Sequence, residues 1–162
     1  MRSFIVCTAA LVLASTAQAQ KKNPLDGAWR EIKFHVVSPD SAYEMPVAAG
    51  MVVVSGKYFS QTWVRQAPGV QQASAEASRP LTTPEEKAAR FDRLTSNAGT
   101  VDVTDSTLTF HLQTARMPSA EGTTTTRTYK LRHDTLWTTL VRPYSKDSSK
   151  TVTTHATYVR MK

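Results

Sequence analysis

Threonine is concentrated in the second half of this chain, in short runs that it shares with apolar and aromatic residues. Of 23 threonines, 17 fall at position 100 or later. β-Branched and aromatic residues favour strands, and the Asp, Ser, Gly and Pro residues that bound the runs favour turns. Similar runs begin earlier in the chain. The whole pattern predicts eight strands, over residues 28–37, 51–55, 57–65, 100–104, 107–116, 123–132, 135–142 and 151–160.

The links between these strands are mostly short. Ser55-Gly56, Asp105-Ser106 and His133-Asp134 are typical of tight hairpin turns. Short links place consecutive strands side by side and antiparallel, and eight such strands can close into an up-and-down barrel that has no exposed edge. Two connections are longer, residues 38–50 and 66–83, and we expect them to cover an open end of the barrel. The predicted fold is therefore all-β.

One short helix is predicted between the third and fourth strands. Thr83 is a suitable N-cap, a proline follows at the first helical position, and Glu86 at the third position completes a capping box. Phe91 and Leu94 recur along one face, and we expect them to pack the helix on the barrel. Residues 97–99, Asn-Ala-Gly, are typical of a helix C-terminus.

The first 19 residues have the pattern of a cleavable export signal. Arg2 provides a charged start, residues 4–14 form an apolar run, and Ala17-Gln18-Ala19 fits the small-residue rule for cleavage, although a cut after Ala17 would fit it too. The apolar run is too short to span a bilayer, which takes about 20 apolar residues. We therefore expect a signal peptide over residues 1–19 and one periplasmic or secreted domain over residues 20–162.

The composition narrows the possible partners. The single cysteine, Cys7, lies inside the predicted signal peptide, so the exported chain would have no disulfide and no thiolate metal site. The full chain has 20 basic and 13 acidic residues, but the basic ones form no cluster beyond Lys21-Lys22. Scattered charge is typical of a soluble surface, and export argues against nucleic acid as a partner. No later segment is long and apolar enough to span a membrane. We expect a soluble protein that is a monomer.

From residue 25 to residue 162 the chain resembles the bacterial lipocalin-like, or calycin-like, domain families. The motifs that carry the resemblance are Gly27-Ala28-Trp29-Arg30 and residues 56–60, 83–86, 98–101, 134–137 and 158–162. The resemblance implies a barrel whose interior holds a small, mostly apolar molecule. It also implies that Trp29 plugs the closed end beneath a basic side chain from a late strand, with Arg127 and Arg160 as the candidates. Such a cation over an indole contributes about 0.5 to 2 kcal/mol.

The register of the first strand is open to two interpretations. Counting by two from Trp29 places polar side chains on the face of that tryptophan, namely Glu31, Lys33 and His35. The opposite row is more apolar and consists of Arg30, Ile32, Phe34 and Val36. An uninterrupted strand would line the lumen with a site able to bind an anion or move a proton. A bulge just after Trp29 would instead bury the apolar row, and this arrangement is favoured because burying unpaired charge is costly.

Candidate ligand-binding residues are those that such a barrel would turn inward: Trp29, Glu31, His35, Phe59, Trp63, Phe110 and Trp137. The apolar row Leu108, Phe110 and Leu112 places His111 on the outer face of its strand. The four histidines lie in separate segments without metal-site spacing, so neither a metal nor a cofactor is expected. Neither a nucleophile elbow nor a glycine-rich phosphate loop is present.

Three functions fit these features. The first is an exported carrier that binds a small apolar or amphipathic molecule inside the barrel. The second is an enzyme of the isomerase or cyclase type on the same scaffold, with Glu31, His35 or His111 as general acid or base. The third is a filled barrel that binds a protein or glycan through its outer surface. An eight-stranded barrel is just wide enough either to be filled by side chains or to hold one small ligand, so the content of the lumen separates these hypotheses.

Overall fold

A computed structural model describes residues 23–45, 47–65 and 80–162, so the predicted signal peptide and most of the predicted connection 66–83 lie outside the described residues. The described part of the chain is almost entirely strand, with one α-helix, α1 (Pro84–Arg93), and a short 3-10 helix at Pro118–Ala120. The strands are β1 (Gly27–Val37), β2 (Ala42–Met45), β3 (Val47–Ser55), β4 (Tyr58–Arg65), β5 (Leu94–Val103), β6 (Thr107–Ala115), β7 (Thr124–Arg132), β8 (Thr135–Tyr144) and β9 (Asp147–Arg160).

Eight of the strands close into an antiparallel barrel, as the sequence predicts. β1 pairs with β3, each strand from β3 to β9 pairs with the next, and β9 returns to β1. Closure leaves no free edge in the barrel, which removes the main route to strand-mediated aggregation. The predicted hairpin turns join β3 to β4, β5 to β6 and β7 to β8.

The sequence analysis predicts the helix between the third and fourth strands, but in the structure it follows β4. The reason is an additional strand in the segment 38–50, which the sequence analysis treats as a long connection. A tight turn closed by backbone hydrogen bonds between Ser38 and Ser41 lets β2 fold back on the end of β1. Phe34 pairs there with Met45, and β3 begins directly after residue 46, so this segment lengthens the wall of the barrel.

The start of α1 is predicted well, and its end is not. The Thr83 hydroxyl accepts a hydrogen bond from the Glu86 amide (3.2 Å), and the Glu86 carboxylate accepts one from the Thr83 amide (3.2 Å), which is the predicted capping box. The helix ends at Arg93, however, and Leu94 begins β5. Phe91 is 53% exposed and lies outside the apolar core, and its ring contacts the guanidinium of Arg116 just beyond the end of β6 (4.9 Å). Pairing with β4 outweighs the local C-terminal signal at residues 97–99.

A β-bulge in β1 decides which of its side chains face the lumen. The pairing of β1 with β9 shifts register just after Glu31. Trp29 and Glu31 are therefore both buried, whereas Ile32 lies outside and is 51% exposed. Phe34 and Val36 turn inward beyond it. The sequence analysis favours a bulge just after Trp29, whereas the observed bulge follows Glu31, two residues later. The expected burial of Ile32 is therefore wrong.

The chain contains no described helix that is long and apolar enough to cross a membrane.

Candidate functional site

The two halves of the lumen differ in content. Residues 23–26 cross one half of the lumen, which we call the packed half. Its lining consists mainly of buried apolar side chains: Leu25, Trp29, Val52, Val54, Val101, Leu108, Phe110 and Leu136. Its remaining cavity measures about 20 Å³. A single water needs about 10 to 15 Å³ of such volume, so the interior of this half, as the described residues form it, has no room for a ligand.

Trp29 is the centre of the packed half. It is fully buried (0% exposed), and its indole N–H donates to the Leu25 carbonyl (2.8 Å). The Arg160 guanidinium lies 4.1 Å from the centre of the indole ring, and it also donates to the backbone carbonyl of Pro24 (2.9 Å). Arg160 is therefore the candidate that stands over Trp29. Arg127, the other candidate, stacks on Phe110 deeper in the barrel.

The opposite half, which we call the cavity half, contains a cavity of about 150 Å³. Its walls come from six strands and combine apolar with charged side chains. The apolar lining is Phe34, Trp63, Leu140 and Ala156, and the polar or charged lining is Glu31, Arg65, Asn97, Arg127, Thr138, Arg142, Thr154 and Tyr158. An apolar cavity of about this volume in another protein holds benzene, so the enclosed space here accepts a group of roughly six to eight heavy atoms. The cavity is open on one side, where the rest of a longer ligand would extend towards solvent.

Glu31 is the acidic group of this cavity and is almost fully buried, with 6% of its surface exposed. Burial raises its pKa to about 7, although the charges of Arg127 and Arg65 and a hydrogen bond from Tyr158 act in the opposite direction. A Cβ atom on Gly50 would lie 2.9 Å from the Glu31 carboxylate, so a glycine at this position leaves room for it. Glu31 is thus a buried acid that exchanges its proton near neutral pH.

Arg127 lies between the two halves. Its guanidinium is 5.5 Å from the centre of the Phe110 ring on the packed side, and it contributes to the lining of both cavities, together with Thr138 and Tyr158. Its Nε atom is buried and has no hydrogen-bond partner among the described residues. Burial raises the pKa of Tyr158 to about 12, although the Arg127 charge acts against the shift, so its hydroxyl stays protonated and can donate. These side chains form a polar floor beneath the cavity.

The structure turns five of the seven candidate binding residues inward, but it distributes them over both halves. Glu31 and Trp63 line the cavity, whereas Trp29, Phe59 and Phe110 are buried in the packed half. Phe59 and Phe110 meet edge to face, with 4.8 Å between ring centres.

The other two candidates, His35 and Trp137, face outward, which contradicts their assignment to the interior. The bulge places His35 on the outer face of β1, where its ring stacks on that of His155, 6.2 Å away. Trp137 lies between the buried residues Leu136 and Thr138, so the alternation of the strand turns it outward, and it is 39% exposed.

The groups named for the enzyme hypothesis do not converge. His111 is on the outer face of the barrel, where it contacts Asp102 (2.8 Å) and Thr124 (3.2 Å). Glu31 is inside, whereas His35, on the same strand β1, is outside. No group of three or more potential metal ligands occurs among the described residues.

Sequence reasoning overlooked Arg65, Arg142 and Tyr158, which line the cavity. A period-two count contains the signal for Arg65 and Tyr158. Arg65 follows Trp63 by two positions, and Tyr158 precedes Arg160 by two. Charged residues near strand ends are ordinarily interpreted as solvent-facing, and only the closed barrel shows that these strands converge.

No family model, no curated protein and no solved structure matches this chain.

Proposed function

We propose that this protein is an exported, monomeric, lipocalin-like binding protein that holds one small amphipathic molecule in the cavity half of its barrel. The observation that carries the proposal is the mixed lining of the cavity. Phe34, Trp63 and Leu140 offer an apolar wall, while Arg127 and Glu31 offer charged groups. Ligand sites typically combine apolar walls with a few converging polar groups.

The contrast between the halves favours this function over a filled barrel that acts only through its surface. Side chains fill the packed half almost completely, so the fold is able to close its lumen where no space is needed. The cavity half retains a larger space beside buried charge, at a cost in stability, because burying polar groups is unfavourable unless they are paired. The dispersed positions of Glu31, His35 and His111 lend no support to the enzyme hypothesis.

The proposal is tested by calorimetric titration of the purified protein with octanoate, octan-1-ol, a retinoid-like polyene and an aromatic dye. We expect at least one saturable interaction at micromolar concentration, which corresponds to about −8 kcal/mol. Leu140→Trp should abolish it, because the larger side chain fills the cavity from β8. The matched control is Val141→Trp, on the next residue, which faces outward and should bind as the parent does.

Tryptophan fluorescence gives a second readout. The three tryptophans occupy different environments, because Trp63 lines the cavity, Trp29 is buried in the packed half and Trp137 is on the outer face. A ligand-induced change should disappear in Trp63→Phe and persist in Trp137→Phe. Failure of the whole panel in calorimetry, or equal binding by Leu140→Trp and the parent, would refute the proposal.

A further inference from the structure

We propose that the cavity selects an amphipathic anion, whose charged group pairs with Arg127, and that binding takes up one proton at Glu31 wherever Glu31 is ionised in the free protein. This inference rests on the proposed function and adds to it the chemical class of the ligand and the coupling of binding to pH.

The charges around the cavity favour an anion. Three arginines line it, Arg65 from β4, Arg127 from β7 and Arg142 from β8, whereas Glu31 from β1 is the one acidic side chain in the lining that the structure describes. The lining is therefore positive whether Glu31 is ionised or protonated. Opposite charges attract more strongly in a partly buried site than in bulk water, because screening is weaker there.

Arg127 is the group best placed to hold the anion. Its buried Nε donor has no partner among the described residues, and an unmade hydrogen bond on a buried polar group is unfavourable. A carboxylate can accept two parallel hydrogen bonds from a guanidinium, one of them from Nε. Arg65 and Arg142 are exposed and would attract the anion towards the lumen, while Phe34, Trp63 and Leu140 contact its apolar part.

Glu31 competes with such a ligand for the same cation. Its carboxylate interacts with Arg127 and Arg65 when it is ionised, and two carboxylates that share one site cannot both be ionised without strong repulsion. Because burial already raises the pKa of Glu31 to about 7, protonating it at neutral pH requires little free energy. The incoming anion would raise this pKa further.

The charged and titratable groups that face Glu31 come from four strands of the cavity wall. They are Arg65 of β4, Arg127 of β7, Arg142 of β8 and Tyr158 of β9. The neighbours from the remaining described walls, Gly50 of β3 and Asn97 of β5, do not titrate. The arginines keep their charge and Tyr158, with a pKa of about 12, keeps its proton, so Glu31 is the group that changes state near neutral pH.

The direction of the pH dependence follows from linkage. A ligand that raises the pKa of Glu31 binds best to the protein in which Glu31 is already protonated. Its affinity is therefore constant below about pH 7 and falls above it, by up to about tenfold per pH unit. A neutral ligand of the same shape would show no such decrease.

The test compares octanoate with octan-1-ol by calorimetry between about pH 6 and about pH 9, where octanoate is ionised throughout. We expect octanoate to bind more tightly than octan-1-ol at the lower pH, with almost no proton uptake because Glu31 is already protonated there. At the higher pH octanoate should bind at least about tenfold more weakly than at the lower pH and should take up about one proton. Repeating the titration in buffers of different ionisation enthalpy measures that proton directly. Octyl sulfate, a second anion, should follow octanoate if charge rather than the carboxylate shape is recognised.

Two variants separate the roles of the two residues. Arg127→Gln should weaken octanoate binding by roughly 10- to 100-fold, the effect of losing hydrogen bonds to a charged group, and should weaken octan-1-ol binding much less. Arg132→Gln, on the same strand but exposed, is the matched control. Glu31→Gln should bind octanoate with no pH dependence and no proton uptake. If Arg127→Gln does not fold, Glu31→Gln still decides the proton step, and the octanoate-to-octan-1-ol comparison decides the charge preference.

The outcomes distinguish this inference from the proposed function. Binding of octan-1-ol or the polyene, with octanoate no tighter than octan-1-ol, would overturn the preference for an anion and leave the carrier function standing. Octanoate binding that is independent of pH in the parent protein would overturn the proton coupling. Failure of every compound in the panel, or equal binding by Leu140→Trp and the parent, would count against the carrier function itself.

Discussion

The packed half and the cavity half are built from the same strands and differ in what those strands turn inward. In the packed half, Trp29 and Leu108 leave about 20 Å³ of free space. In the cavity half, the inward positions carry Glu31 and three arginines around about 150 Å³. The comparison teaches that the closure of the barrel does not determine whether its lumen is filled. The size of the side chain at each inward position determines whether that part of the lumen is filled.

The two halves also contribute differently to stability. Burial of apolar surface stabilises the packed half by about 25 cal/mol per Å². Stability in the cavity half is reduced by the buried carboxyl of Glu31 and by the Nε of Arg127, which has no hydrogen-bond partner within the described part of the chain. A binding protein of this kind would keep its structural core and its recognition site at opposite ends of one barrel, so that either can be changed separately. The following predictions test that separation.

The largest effect is expected in the packed half. Trp29→Ala should lower the free energy of unfolding by about 3 to 5 kcal/mol, because it removes a fully buried aromatic side chain and leaves a void beneath Arg160. Denaturant-induced unfolding measures the change. Trp137→Ala, on the outer face, is the matched control and should change the stability by less than about 1 kcal/mol. Equal effects of the two substitutions would show that the packed half is not the structural core.

An effect that depends on pH is expected in the cavity half. The folded protein holds the Glu31 proton with a pKa of about 7, against 4.5 for an ordinary glutamate, so its contribution to stability is present below about pH 4.5 and is lost as the pH rises to about 7. Glu31→Gln should therefore be more stable than the parent at about pH 8, by up to about 3 kcal/mol, and should lose this advantage near pH 4.5. Unfolding midpoints at several pH values provide the measurement.

Glu44→Gln serves as the matched control for that experiment, because Glu44 lies on the surface and pairs with Lys33 (3.3 Å). It should not reproduce the pH-dependent stabilisation. A Glu31→Gln variant that is less stable than the parent at every pH would mean that the Glu31 carboxylate is well compensated, and the energetic contrast between the halves would not hold.

The smallest effect is expected at the rim of the packed half. Arg160→Met should destabilise the protein by about 1 to 2 kcal/mol, because it removes the cation above Trp29 and the hydrogen bond to the Pro24 carbonyl. Arg132→Met, at the exposed end of β7, controls for the loss of charge. Thermal or chemical unfolding would detect the difference, and identical stabilities would show that Arg160 contributes nothing to closing this end.

The sequence predicted local features better than long-range ones. The predictions of the capping box at Thr83, the hairpin turns and the inward row of β6 are confirmed, since each of these depends on neighbouring residues. It missed β2 and the early start of β5, because both depend on pairing with strands that are distant in sequence. The stop signal at residues 97–99 was overridden by pairing with β4.

The candidate site was predicted in part. Glu31 and Trp63 were named and line the cavity, whereas His35 and Trp137 were named and face outward. Both failures concern which face a strand residue occupies. A shift of one residue in register moves every later side chain to the other face, and nothing local to the strand fixes where a bulge occurs.

The sequence by itself determined that this chain forms strands, where most of them turn, and that together they suffice for a closed barrel, because β propensity and turn chemistry are properties of neighbouring residues. Only the tertiary structure decided that Glu31 lies inside with Arg127 while Lys33 and His35 face outward, since the bulge that follows Glu31 arises in the pairing of β1 with β9 at the other end of the chain. Burial then sets the acidity of Glu31, and burial is a property of the closed barrel as a whole.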